Sequence, residues 1–90
     1  MAEIRVQRLG EGEFEVSVSE GGGRTVHRVT VSEKERQRYG GDASPEALLE
    51  ESFRFLLERE PKESILGRFE LSLIEHYFPE YGEEVRGRLA

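Results

Sequence analysis

The chain has 90 residues, 36% of them charged, and a formal net charge of -6 at pH 7. That length suits one domain, which at this size buries only roughly 60 to 68% of the surface its unfolded chain exposes. The negative balance opposes diffuse attraction to phosphate or anionic lipid, so nucleic acid is an unfavoured partner and a basic protein an easier one.

Cysteine is absent, which excludes a disulfide framework, a thiolate zinc site and a cysteine nucleophile. No apolar leader follows Met1 and no run approaches the ~20 apolar residues of a membrane span, so a soluble cytoplasmic protein is expected. Arginine outnumbers lysine and asparagine is missing, a bias with no functional weight, since heat adaptation is marked by lysine and glutamate together.

The first third alternates. Ile4 and Val6, then Phe14, Val16 and Val18 in "EFEVSVS", recur at period 2 with glutamates and serines on the other face, the pattern of half-buried strands. "GEG" and "GGG" separate three such runs, predicted at about 3-9, 13-19 and 24-31, because glycine supplies the positive φ of hairpin turns. In the third run His27, Val29 and Val31 share a phase and Val26 does not, so either a bulge resets the register or Val26 faces outward.

The period then becomes helical. Ser32 with Glu35 makes a capping box for a short polar helix at about 33-39, stopped by Gly40 and Gly41. Ser44 and Pro45 start a longer one at about 45-59, whose stripe of Leu48, Leu49, Ser52, Phe53, Leu56 and Leu57 is broad enough to cover a small sheet. Pro61 ends it and can open a helix at about 61-68 with Ile65, Leu66 and Phe69 on one side; Ser72 and Glu75 cap another at about 72-78, stopped by Pro79. Residues 82-90 read as a frayed helical turn or disordered chain. The predicted fold is a single α+β domain over 1-90, a three-stranded antiparallel meander followed by a long helix and short C-terminal helices packed on one face. A sheet of this kind leaves edges through which a homodimer can pair, although the glutamates and arginines on these strands can equally serve to discourage it.

Residues 61-78 have the cadence of a helix-turn-helix. The residues that would meet DNA are Leu73, Ile74, Glu75 and His76, followed by Glu80, Glu83 and Glu84, and carboxylates repel phosphates. The two histidines, His27 and His76, lack a second histidine at i+3 or i+4, so His27 reads as hydrogen-bonded at the sheet face, His76 as helix surface, and no metal or cofactor is expected. No nucleophile elbow surrounds Ser64, the triple glycine precedes a strand rather than a helix, and pairs among 18 glutamates carry no information, so no catalytic residue is assigned. The mixed charges from Glu58 to Arg68 read first as a solvated, ion-paired face. Beside Tyr77 and Tyr81 they also have the composition of an interface rim, which makes Glu63, Arg68, His76 and Tyr81 the candidate protein-interaction surface.

The run "LEREPKESILGRFELSLIEHYFPEY" resembles a family of small uncharacterised bacterial proteins that end in "EPKESIL" and "IEHYFPEY" segments after a β-rich start. The resemblance covers the last half of the chain and implies no activity. The succession of strand, glycine turn, strand and "SPEALLEESFRFLLE" is similar in rhythm to HicB-type antitoxins, whose small sheet-plus-helix domain neutralises a basic ribonuclease. This chain lacks that family's cysteine-containing strand loop and basic DNA-binding tail, which leaves the likeness at the level of fold. The functional expectation is a small acidic, non-catalytic protein-interaction module, with a transcriptional or toxin-antitoxin regulator acting through 61-78 as the alternative.

Overall fold

Three strands form where the alternation places them, in a computed structural model that describes residues 2–90. β1 (Glu3–Gly10) pairs antiparallel with β2 (Glu13–Glu20), and β2 with β3 (Gly23–Thr30). Gly21 and Gly22 both have positive φ, 63° and 82°, the requirement of a two-residue turn whose twist matches the flanking strands. The β2–β3 register runs without a shift, so Val26 faces outward, 45% exposed, while His27 and Val29 turn inward.

The capping box at Ser32 forms with both of its hydrogen bonds and opens α1 (Glu33–Glu35). The chain then widens into a π turn, Arg36–Gly40, rather than continuing as an α-helix, and this turn carries Tyr39 into the core. Ser44 caps α2 (Pro45–Leu57), which lays Leu49, Phe53 and Leu56 in one cluster with Phe14, Val16, Val18 and Val29 of the sheet. Each such buried side chain contributes about 1.5–3 kcal/mol relative to exposure.

Two predicted elements fail beyond Pro61, and the Ser72–Glu75 capping box does not form: Ser72 has helical φ and ψ and makes no side-chain cap bond, and Glu75 bonds Tyr39 and Arg38 instead. Residues 61-68 are not a helix: Lys62–Ser64 make one 3-10 turn, Ile65 is already extended, and Arg68–Glu70 form β4, parallel to β3. The edge of β3 supplies the reason. Arg28 N–H donates to Gly67 O at 2.8 Å and Leu71 N–H to Thr30 O at 3.0 Å, so the segment satisfies amides that an open edge would leave to water. Phe69 and Leu71 point inward while Arg68 and Glu70 point out. The sheet therefore has four strands, mixed, in the order β1-β2-β3-β4. The helix-turn-helix is consequently absent, since its first helix is a turn and a strand.

The second correction is the C-terminus. After α3 (Leu73–Tyr77) the chain forms α4 (Tyr81–Leu89), which packs along α2 and the π turn. Tyr81 and Val85, four residues apart, are fully buried, and acidic residues in its first turn and arginines in its last suit the helix dipole. Burying Tyr81 also explains Phe55, which lies outside the stripe that faces the sheet yet is fully buried. Tyr81 and Phe78 meet its ring edge-on, and Arg59 lies 3.6 Å above its centre. No helix among the described residues is long and apolar enough to cross a membrane.

Candidate functional site

Beside β4 the surface opens into a cleft of about 260 Å³ between the end of α2, the 65-67 loop and α3. Its floor is Leu56, Ile65, Phe69 and Ile74, and its walls are Leu66, Leu73, Tyr77 and Phe78. Leu66 and Tyr77 stand 49% and 62% exposed, so the cleft is apolar yet open to water. Glu60 supplies its charge. The neighbouring cations are engaged elsewhere, Arg59 with Glu58 and Glu80 and Lys62 with Glu63, and Glu60 has no ion pair among the described residues.

Both walls are held by specific bonds. On one side the buried His27 reaches across the sheet to Leu66 O, 2.8 Å from its Nδ1, while its Nε2 lies 2.8 Å from Thr25 Oγ1. A carbonyl only accepts, so Nδ1 is the donor to Leu66 O, and Nε2 shares a hydrogen bond with the threonine hydroxyl. The sheet-face role expected for His27 is met, and its partner is the cleft loop.

On the other side Glu75 of α3 accepts from Tyr39 Oη–H and from Arg38, each at 2.9 Å. Glu35 adds a bond from Ser72 N–H at 2.8 Å. Gly82 makes room for the arrangement, because a Cβ there would sit 2.9 Å from Glu75 Oε2. Burial, and next the bond to Glu75, push the Tyr39 phenol up to about 12. Burial likewise raises that of Tyr81.

The four residues expected to form the interaction surface divide. Glu63, Arg68 and His76 are exposed and immediately precede the cleft residues Ser64, Phe69 and Tyr77. The Glu63 carboxyl is lowered by its hydrogen bond to Lys62, Arg68 has no ion pair among the described residues, and His76 packs edge-on against Tyr77 at 5.3 Å. Tyr81 is not at the surface. Its hydroxyl lies 2.6 Å from Ser52 Oγ; Ser52 spends its own proton on Leu48 O at 2.7 Å, so Tyr81 is the donor. The two buried tyrosine rings, Tyr39 and Tyr81, pack with centroids 4.9 Å apart and planes tilted by 52°. Glu60, Leu66 and Leu73 were missed as site residues: the i, i+4 spacing of Leu73 and Tyr77 marks a shared helix face, but nothing local relates that face to Glu60 or Leu66.

No family model, curated protein or solved structure matches this chain. Both ring nitrogens of His27 are engaged, and no group of three histidine or carboxylate side chains among the described residues has the arrangement to hold a metal ion.

Proposed function

We propose that the protein is a small acidic interaction module whose cleft receives an apolar anchor side chain of a partner, with a lysine or arginine beside that anchor meeting Glu60. The observation that carries this reading is an apolar cleft left open between two pinned walls, with an unpaired carboxylate at its edge. Binding sites of this kind combine a mostly apolar lining with a few placed polar groups. A pre-formed cleft also spares the ordering cost that weakens flexible sites. The net charge of -6 favours a basic partner over long range. Glu63, Arg68 and His76 would form its polar rim.

Selection from a displayed library of random peptides tests this. The expected enrichment is for a large aliphatic or aromatic residue next to Lys or Arg. Leu66→Asp and Tyr77→Ala should each weaken the selected peptides by about tenfold or more, the scale of a buried anchor at an interface. Their melting temperatures should stay near wild type, because both positions are exposed. Peptides that bind both variants as well as the wild type would place binding elsewhere.

A further inference from the structure

We propose that β1 pairs with β1 of a second copy about a two-fold axis at Ile4, joining two sheets edge to edge. The two edges of the sheet are treated differently by the chain. The three-residue β4 covers the outer edge of β3 at Arg28–Thr30, whereas β1 presents its outer backbone groups along eight residues, with no proline, and with its register shift confined to the turn end between Arg8 and Gly10. An open edge of this length is a template for another strand.

The core-side residues of β1 are also unfinished. Val16, Val18 and Val29 are 0–1% exposed, while Ala2, Ile4 and Val6 pack against the same core but remain half-buried. A second β1 alongside would bring its own Ala2, Ile4 and Val6 next to that strip. The occupant that fits is set by the register. Antiparallel pairing keeps side chains on their proper faces only if opposed residues are of like parity, so the axis passes through one residue. With the axis at Arg5, two arginines face each other. With it at Val6, Ile4 faces Arg8, and at Gln7, Val6 faces Arg8.

The axis at Ile4 alone sets Ile4 on Ile4, Ala2 on Val6, and Glu3 on Arg5 twice. Charges that would repel a copy in other registers attract one here. Glu3 and Arg5 already meet within one copy at 2.6 Å, so the dimer extends that pair into a ring of alternating charge. The contact is isologous and closes on itself. It lies at the edge opposite the β4 cleft and is independent of what the cleft binds.

Because the chain has no cysteine, single cysteine variants report the register directly. Ile4→Cys should form a disulfide-linked dimer on mild oxidation, since directly opposed residues have Cα atoms ~4.5–5.5 Å apart, within disulfide reach. Arg5→Cys and Val6→Cys should not. Circular dichroism checks that each variant keeps the fold. In sedimentation of the cysteine-free protein across a concentration series, Arg5→Glu should weaken dimerisation by about tenfold or more. The swap Glu3→Arg with Arg5→Glu should restore it, while Leu66→Asp leaves it unchanged. A wild-type protein that stays monomeric throughout while Ile4→Cys fails to cross-link would overturn the proposal, and cross-linking at Arg5 or Val6 instead would overturn the register.

Discussion

Replacing Tyr81 separates a core residue from a surface one. Its side chain is fully buried, with the ring 4.9 Å from Tyr39 and 5.4 Å from Phe55. Truncating an aromatic residue so placed costs about 3–5 kcal/mol, from lost transfer energy and the cavity left behind. A chain of this length has a total of about 5–13 kcal/mol at typical per-residue stability, so Tyr81→Ala removes a large share and detaches α4 from α2. Tyr81→Phe keeps the ring and loses only the bond to Ser52. Ser52 still donates to Leu48 O, so this change costs about 1 kcal/mol. Thermal unfolding followed by circular dichroism should show a drop of about 4–8 °C for Tyr81→Phe and several times that for Tyr81→Ala. The refuting result is a Tyr81→Ala protein whose loss stays within the ~0.5 kcal/mol usual for surface changes. Tyr81 would then belong to the interaction surface, and α4 would not be a structural element.

His27→Ala leaves Leu66 O without its donor and opens a void beneath Phe53, which lies 5.3 Å from the imidazole; a loss of about 2–4 kcal/mol in urea unfolding is expected, and an unchanged midpoint would dissociate the loop from His27. Glu75→Gln should lower the Tyr39 ionisation from about 12 only part of the way to its ordinary value, because burial is the larger cause, as ultraviolet titration would show. In the wild type the neutral Tyr39 contributes stability that is present below about pH 10 and lost as pH rises through about 12, so melting temperatures should fall across that window. On the acid side the carboxyls of Glu33 and Glu58 are lowered by bonds to Arg36 and Arg88. Their contribution is present above the ordinary carboxylate range and lost as pH falls through the lowered values, and a melting temperature independent of pH there would refute those pairs.

The sequence by itself determined what depends on near neighbours. Alternation in "EFEVSVS" set the faces of β2, the triple glycine set its turn, and Ser32 and Ser44 set two helix starts, because each signal is complete within a few residues. The stripe of α2 likewise marked the face that covers the sheet. Tertiary structure decided the segments whose local preferences were divided. "ILGRFEL" carries apolar residues at both helical and strand spacings, and the open edge of β3 resolved it as β4 by accepting its backbone hydrogen bonds. Tyr81, Val85 and Leu89 already stood at i, i+4 and i+8, but only the second apolar side of α2, with Phe55 in it, shows what those residues bury. The cleft belongs to the same class. Glu60, Leu66 and the Leu73–Tyr77 helix are separate pieces of the chain, and they meet because His27 and Tyr39, far from them in the chain, hold the two walls in place through Leu66 O and Glu75.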